Sequence, residues 1–428
     1  MTLSKLVFDD KQFVANRSRP GLWLGGAALL VLGYLLFGLT LQGVQGLSRG
    51  GFVFAAAGLL WAVVGLVTRQ ASFPPILALP LAFFVYTAVT GLQLSTYPLE
   101  YILQLFTVWM GAVSIALFLA NGVSINVVFL GLVVLCAANF TAVALGFDTY
   151  KVNVQDFDAE SLDGAEILRH SGLAGQTNKL VGLLFTLPFA VFLLRRRLGL
   201  VVYVVLVGLC LTTAVVTGSR TTLAFTTLFV LSGAVWLIGS GIVRMLLLAA
   251  GLAGALILAD FFGSDQALSR IENSSLGELV LVKRALRAVD GDDSSAETRA
   301  AFATDFWPYF NEQPFIGYGP ERFGEITGAD TYAHNNFVEI AINGGLVGLL
   351  LYYAMYGAIG LGIVSSLPRA LPLLAPLAFL IVADGAFVTM LARGMVLLLC
   401  LCLVTVRFSV GSDGRRRRRR RRHGSVPV

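Results

Sequence analysis

The chain has 428 residues, of which 57% are hydrophobic and 13% are charged, and its mean hydropathy is +0.80. A soluble domain cannot bury so much apolar surface, so this composition excludes a soluble protein. The formal net charge of +6 comes from the C-terminal end, where residues 415–422 are all arginine. Without this run the chain is slightly acidic, and the net charge does not predict a nucleic-acid partner.

Charge-poor runs long enough to cross roughly 30 Å of hydrocarbon recur along the chain. The first, residues 21–48, follows a basic leader and is too long for the apolar core of a signal peptide, so we expect a retained span. Further spans are predicted at 51–68, 74–93, 101–120, 125–146, 176–194, 199–217, 221–240, 242–262, 335–365, 370–388 and 392–410. The sequence therefore predicts an all-α integral membrane protein with about 12 transmembrane helices.

The basic residues of the short loops predict the orientation, because Lys and Arg resist translocation. Those on the side of the basic N-terminus are Arg69, the triplet at 195–197, Arg244, Arg369 and the run at 415–422. Both termini are therefore predicted to be cytoplasmic. Single arginines in short external turns, Arg49, Arg220 and Arg393, are the minority against this rule.

This topology predicts four regions. Residues 1–262 hold spans one to nine, residues 263–334 form a large extracytoplasmic loop, residues 335–410 hold the last three spans, and residues 411–428 form an Arg-rich cytoplasmic tail. The tail would contact the anionic headgroups of membrane lipids. All four cysteines lie in apolar segments and only three histidines occur, so neither a disulfide framework nor a metal site is predicted.

Function is sought among the polar groups at the predicted extracytoplasmic face, because ionisable groups at membrane depth are costly. Four segments stand out, at residues 169–179, 217–222, 299–319 and 334–348. In the second, Arg220 would lie at a helix N-terminus beside Gly218, where free amide groups favour an anion such as a diphosphate. The alternative is that Arg220 snorkels to lipid phosphates.

In the fourth segment, Asn335, Glu339 and Asn343 recur every four residues and form one polar stripe on a helix. Two interpretations are open: the stripe lines a site, or it bonds neighbouring helices while the glycines at 344, 345 and 348 permit close packing. His334 stands at the mouth of the stripe. Histidine is the side chain whose unperturbed pKa lies nearest neutrality, so His334 is a candidate general base, with a surface histidine of no function as the alternative.

The order of these motifs resembles the O-antigen ligase and polymerase family of bacterial envelope glycosyltransferases. The motifs are Arg-x-x-Gly followed by Asn (Arg169, Gly172, Asn178), Gly-Ser-Arg-Thr at 218–221, Pro-Phe-Ile-Gly-Tyr-Gly at 314–319, and His-Asn-Asn-x-x-Glu with Gly-Gly-x-x-Gly at 334–348. The resemblance covers roughly residues 165–365.

The resemblance implies a GT-C-like glycosyltransferase of the bacterial inner (cytoplasmic) membrane, with its large loop and active site in the periplasm. It implies a metal-independent reaction without a cofactor, in which the glycan donor is linked to undecaprenyl diphosphate. Carried over by motif, the catalytic residues are Arg220, Arg299 and His334, and the substrate-binding residues are Arg169, Asn178, Ser219, Asn335, Asn336 and Glu339. Arg284, Arg287 and Arg322 lie in the same loop and remain alternatives to Arg299.

These residue types suit the implied chemistry. Two arginines can neutralise the charge that grows on a diphosphate leaving group, and a histidine can accept the proton of an attacking sugar hydroxyl. A single direct displacement would invert the anomeric configuration. A ligase uses the lipid A core as acceptor and a polymerase uses a second lipid-linked repeat unit; the ligase is favoured on overall resemblance alone. A transporter or flippase is disfavoured, because the polar groups cluster at one face and not at the midplane.

Overall fold

The computed structural model describes residues 21–41, 47, 49–95, 98–145, 204–206, 208–209, 302, 304–328, 332–333, 335–365, 373–386 and 388–406. These ranges contain helices and turns and no β-strand. The chain divides into two compact units. One comprises Met1–Leu39, Gly46–Gly131 and Phe302–Val428, and the other comprises Thr40–Gln45 and Leu132–Ala301. Most of the described helices belong to the first unit.

The first five predicted spans are confirmed as helices. Helix α1 covers Gly21–Gly33 and continues as a π-helix over Tyr34–Thr40; α2 is Gly50–Val67; α3 is Ala78–Leu94, after a 3₁₀ turn at Pro75–Leu77; α4 is Pro98–Ala120; and α5 is Ile125–Ala144. Each of these helical segments is long and apolar enough to cross a bilayer.

The later part of the chain adds two short helices and three longer ones. They are α6 at Trp307–Glu312, α7 at Phe323–Thr327, α8 at Asn336–Ser365, α9 at Leu374–Ala386 and α10 at Arg393–Val406. With α8, six helices in the described ranges qualify as membrane spans by length and composition. The predicted spans at 176–194, 221–240 and 242–262 lie outside the described residues, as does most of 199–217.

The buried centre of the first unit is formed by α4 and α10. Every residue from 107 to 119 in α4 is buried, and so is every residue from 394 to 404 in α10. The sequence of α10 is apolar on all sides, which is the pattern of a helix with no surface position. The indole Nε1 of Trp109 in α4 donates a hydrogen bond to the carbonyl of Met390, just before α10, at 3.1 Å.

Helix α2 packs through small residues. Its buried positions are Gly51, Ala55, Gly58, Ala62 and Gly65. A Cβ atom on Gly58 would lie 3.3 Å from Ser114 of α4, so the two backbones approach closely there. Small residues serve this purpose in membrane helices, where packing and not apolar burial drives association.

The predicted span at 335–365 is not one continuous helix. Gly345 has φ 58° and ψ −160°, which are not helical values, and it divides α8 into residues 336–344 and residues 346–365. The rings of Phe337 and Tyr353 lie 6.2 Å apart, whereas their positions in a straight helix would be about 24 Å apart. The first part of α8 therefore folds back along the second.

Candidate functional site

The N-terminus of α8 is capped by Asn335. Its side-chain oxygen accepts hydrogen bonds from the backbone N–H groups of Phe337 and Val338, at 2.9 and 3.2 Å. Its carbonyl oxygen accepts from the N–H of Glu339 at 3.0 Å. An Asn in this position satisfies amide groups that a helix start otherwise leaves unpaired. The Asn335 oxygen is thus engaged in fixing the helix start.

Glu339 lies in the first turns of the same helix and is only 6% exposed. Its Oε2 accepts a hydrogen bond from the backbone N–H of Ala333 at 2.9 Å, and its Oε1 accepts from Asn343 Nδ2 at 2.7 Å. Two members of the predicted polar stripe, Glu339 and Asn343, therefore bond to each other one turn apart. Both carboxylate oxygens are engaged, and the bond to Ala333 ties the chain just before position 334 to α8.

Asn336 is fully buried and joins α8 to the turn between α9 and α10. Its side-chain oxygen accepts from the backbone N–H groups of Thr389 and Met390, both at 3.1 Å. The Thr389 hydroxyl donates a short hydrogen bond to Asp384. Its oxygen lies 2.9 Å from the Tyr352 hydroxyl, which therefore donates to it. These contacts link both parts of α8 to one buried polar cluster.

Asp384 was not singled out from the sequence. It lies in α9 and is 3% exposed, so a carboxyl group is buried between apolar helices. A signal was present, because an ionisable residue inside an apolar run of span length indicates a functional or specifically bonded position. Thr389, Tyr352 and Asp384 thus join the predicted residue Asn336 in a buried polar cluster that the motif pattern does not predict.

A loop segment, residues 314–319, fills the break in α8. Four backbone hydrogen bonds join the two: Tyr318 N–H to Ile342 O at 2.9 Å, Gly319 N–H to Asn343 O at 3.0 Å, Leu346 N–H to Pro314 O at 2.8 Å, and Val347 N–H to Phe315 O at 3.2 Å. Polar backbone groups freed by the break thereby regain partners, as an apolar environment requires. The Pro-Phe-Ile-Gly-Tyr-Gly and Asn-Gly-Gly motifs are therefore two halves of one structure.

The glycines of these motifs permit contact between the two backbones. Gly317 has φ 73°, and a Cβ atom there would lie 2.4 Å from the carbonyl oxygen of Ile342. Gly345 has φ 58°, and its Cβ would lie 2.5 Å from the carbonyl carbon and oxygen of Phe315. A side chain at either position would overlap backbone atoms. The residue would also be strained, because residues with a Cβ atom rarely adopt a positive φ.

Residues 314–319 and the residues of α8 that bond to them, 342–347, form a junction, and Tyr86 of α3 bonds to it. Its hydroxyl lies 2.6 Å from the carbonyl oxygen of Gly344 and 3.1 Å from that of Ile316, and it can donate to either. One carbonyl belongs to α8 and the other to the loop segment. Tyr86 therefore bonds both sides of the junction to a third helix.

A small cleft lies beside the junction, and Tyr86, Tyr101, Pro320 and Asn343 are among its lining residues. Its volume of about 10 Å³ has room for about one water molecule. The Tyr101 hydroxyl and the Asn343 Oδ1 are buried and have no hydrogen-bond partner among the described residues. The cleft suits a water molecule and is too small for a sugar ring.

Charged side chains lie next to the loop segment at residues 321–325. Arg322, one alternative to Arg299, forms an ion pair with Glu325 at 2.9 Å, and its Nη1 donates to the Leu94 carbonyl at 3.4 Å. Arg322 is therefore already engaged in local contacts. Glu321 has φ 63°, a strained value for a residue with a side chain. Partial burial raises the pKa of the Glu321 carboxyl, as does the nearby Glu100, and a hydrogen bond with Ser95 lowers it.

The structure brings together some of the predicted site residues and leaves the others undescribed. Asn335, Asn336 and Glu339 lie together at the start of α8, with the contacts given above. The remaining predicted residues lie outside the described residues: Arg169, Asn178, Ser219, Arg220, Arg299 and His334. The catalytic and substrate-binding roles of all nine residues stay predictions.

Comparison with protein families finds one match, which begins before Arg220 and ends within α8. Residues 205–353 match the family model described as O-antigen ligase. The resemblance to the O-antigen ligase and polymerase family is confirmed. No curated protein matches the chain. The family match and the apolar helices together indicate a multi-pass membrane protein resembling membrane glycosyltransferases.

The O-antigen ligase match covers about one third of the chain but most of the predicted site. It includes positions 219, 220, 299 and 334, the capped start of α8, and the junction between α8 and residues 314–319. Arg169 and Asn178 precede it. The resemblance of those two positions therefore rests on the sequence motif alone.

Proposed function

We propose that this protein is an O-antigen ligase that transfers glycan from undecaprenyl diphosphate to a hydroxyl group of the lipid A core oligosaccharide. The observation that carries the proposal is the O-antigen ligase match over residues 205–353, which contains all three proposed catalytic positions. The reaction belongs to lipopolysaccharide biosynthesis. It proceeds with inversion and without a metal ion.

In this proposal, the acceptor hydroxyl attacks the anomeric carbon of the donor sugar as the bond from that carbon to the diphosphate oxygen breaks. His334 accepts the proton of the hydroxyl, and the electron pair of the broken bond leaves with undecaprenyl diphosphate. Arg220 and Arg299 stabilise the charge that develops on the diphosphate. Arg169, Asn178, Ser219, Asn335, Asn336 and Glu339 are proposed to contact the substrates.

The contacts around the start of α8 support a role for His334. Its neighbour Asn335 caps the helix, and Ala333 is bonded to Glu339. Asn336 is bonded to the turn before α10. Residues on both sides of position 334 are thus held by hydrogen bonds to the helix framework. A general base on such a framework needs little reorganisation when the substrates bind.

The proposed location is the bacterial inner membrane, with both termini in the cytoplasm and the catalytic residues in the periplasm. The basic short loops support this orientation. The partners are then the lipid-linked glycan donor, the lipid A core acceptor and the surrounding membrane lipids. The arginine run at 415–422 would lie on the cytoplasmic side, against anionic headgroups.

Reconstitution with defined substrates tests the proposal. Purified protein in nanodiscs is supplied with an undecaprenyl-diphosphate-linked glycan, together with either lipid A core or a second lipid-linked repeat unit. Glycan on the lipid A core is the expected result. Growth of the lipid-linked chain instead would identify a polymerase, and transfer to neither acceptor by protein that binds the donor would contradict a glycosyltransferase.

A further inference from the structure

A continuous apolar strip runs along the outside of α8. In the part after the break, the exposed residues that recur every three or four positions are Leu346, Leu350, Ala354, Gly357, Leu361 and Val364. Leu350, Leu361 and Val364 are more than half exposed. This part of α8 is about as long as the hydrocarbon core is thick, roughly 30 Å. In a membrane-spanning helix such a strip faces lipid.

The strip does not end with the helix. Phe315 and Ile316 of the loop segment are 66% and 53% exposed. The bonds from Leu346 and Val347 to the carbonyls of Pro314 and Phe315 place this loop segment directly beside the first residues of the strip. Two large apolar side chains therefore extend the lipid-facing surface of α8 onto the large loop.

Two carbonyl groups of this loop segment accept hydrogen bonds from α8, and a third lies within reach of the Tyr86 hydroxyl. The carbonyl oxygens of Pro314 and Phe315 accept from α8, and that of Ile316 lies 3.1 Å from the Tyr86 hydroxyl. Pro314 has no N–H group to satisfy. These partners lower the cost of irregular backbone at the boundary of the hydrocarbon, whereas a segment in the bilayer core would need a partner for every polar group.

The neighbouring residues fit the boundary between hydrocarbon and headgroups. No charged residue occurs from Gln313 to Pro320, and Glu312 and Glu321 flank this stretch. Trp307 of α6, whose ring lies 5.9 Å from that of Phe310, is half exposed. Tryptophan is enriched at the level where the helix ends meet the headgroups.

We infer that residues 314–316 are embedded in the outer boundary of the bilayer, where Phe315 and Ile316 contact lipid acyl chains and anchor the large loop to the membrane. The partner is bilayer lipid, since the strip is continuous with the lipid-facing side of a spanning helix and presents apolar groups only. The inference concerns the loop and does not depend on the proposed transfer reaction.

Spin labelling in nanodiscs without any glycan donor tests this anchor. A nitroxide is attached at Phe315→Cys in a background in which the four native cysteines are replaced. Leu350→Cys on the strip is the lipid reference, and the exposed Gln313→Cys is the water reference. We expect the label at 315 to collide more with dissolved oxygen than with a water-soluble nickel chelate, as at 350, and the label at 313 to show the reverse.

Two outcomes would overturn the anchor. If the label at 315 collides mainly with the nickel chelate, the loop segment is in water; if neither reagent reaches it, protein covers it. A second measurement keeps the native cysteines: a photo-crosslinking benzoylphenylalanine at Phe315 should capture phospholipid, whereas the same group at Gln313 should not. Crosslinking to this chain or to another protein without phospholipid would equally contradict the inference.

Discussion

Gly345 and Phe315 meet backbone to backbone, so closely that a Cβ atom on the glycine would lie 2.5 Å from the carbonyl carbon and oxygen of the phenylalanine. The contact joins a break in α8 to a loop segment thirty positions earlier in the chain. Two features of α8 permit the contact: Gly345 has no side chain, and the break at Gly345 frees backbone groups of the helix to bond with the loop segment. The junction therefore requires that no side chain at position 345 separates the two backbones.

A matched pair of glycines tests this dependence. Gly345→Ala should lower the free energy of unfolding by about 3 kcal/mol, from the left-handed conformation and the overlap with Phe315. Gly344→Ala should be neutral or slightly stabilising, because its Cβ would make an ordinary contact at 3.6 Å with the Tyr86 ring. Unfolding of both purified variants by SDS titration in mixed micelles is the measurement. Equal stabilities would show that the junction is not built as described.

A second pair of substitutions tests the polar stripe. Asn343→Asp places two carboxyl groups at a 2.7 Å contact in a buried site and should cost about 3 kcal/mol. Glu339→Gln should cost about 1 kcal/mol, because the side-chain amide of Asn343 can turn its unpartnered oxygen toward the new donor. In the double variant, the new amide at position 339 donates to the new carboxylate at position 343 and still accepts from the Ala333 N–H, so stability should largely return.

The same stability titration, applied as a double-mutant cycle, measures the coupling between positions 339 and 343. Additive losses would contradict the bonded pair. Glu339→Gln also distinguishes a structural role of Glu339 from a catalytic one. Glutamine keeps the size and polarity of a side chain that is proposed to contact the substrates, and both oxygens of Glu339 already accept hydrogen bonds, so this variant should retain most of its transfer rate. A loss as large as that of a missing general base would make Glu339 the catalytic carboxylate.

Within the described residues, the sequence predicts where the spanning helices lie, because an apolar run of span length has few alternatives in a membrane protein. It did not reveal the break in α8, since Asn343, Gly344 and Gly345 barely interrupt the hydropathy of residues 335–365. The motif at 314–319 was recognised, but nothing in the local pattern pairs it with Gly345, because that contact is made only in the folded chain. Asp384 is a lone acid in an apolar run, a signal that the motif pattern does not include.

The polar stripe of α8 makes contacts that its spacing does not predict. From spacing alone, Asn335, Glu339 and Asn343 suited either a site or contacts between helices. In the structure the Asn335 side chain caps the helix, and the other two bond to each other. Asn336, which lies off that stripe, makes the contact with the turn before α10. Spacing indicates which residues share a face, but not which neighbour they meet.

Removal of the Tyr86 hydroxyl should loosen the junction without breaking it. Tyr86→Phe keeps the ring that packs near Gly344 and Gly348 but loses a donor to two carbonyls, at a cost of about 1 kcal/mol. Hydrogen exchange of the purified variant should be faster at the amides of residues 317–319 and 346–347 and unchanged in α4. Unchanged protection at the junction would mean that Tyr86 does not hold it.

The orientation of the large loop is testable in intact cells. The basic short loops predict that residues 263–334 are extracytoplasmic. A cysteine at Ser294 should therefore react with a membrane-impermeant thiol reagent before lysis, after outer-membrane permeabilisation where an outer membrane is present. A cysteine at Ser412, in the predicted cytoplasmic tail, is the control and should react only after lysis. The opposite pattern would place the proposed catalytic residues in the cytoplasm.

The last prediction distinguishes the proposed base from the proposed diphosphate site. His334→Ala should leave donor binding nearly unchanged and slow transfer by roughly 10²–10⁴-fold, the usual contribution of a positioned base. Arg220→Ala should weaken both donor binding and transfer, and Arg220→Lys should recover only part, because lysine keeps the charge but not the forked pair of donors.

Donor binding and single-turnover transfer are measured in parallel for each purified variant, with Arg393→Lys as the comparison. Arg393 donates to the carbonyl of Gly38 and has no proposed role in the reaction. It should therefore affect stability and not the balance between binding and transfer. If His334→Ala transfers at the wild-type rate, His334 is not the base. The next candidates are then Glu339 and His170, which lies in the predicted polar segment at 169–179. If Arg220→Ala binds and transfers normally, the diphosphate is held elsewhere, because alanine removes both the charge and the hydrogen-bond donors of Arg220.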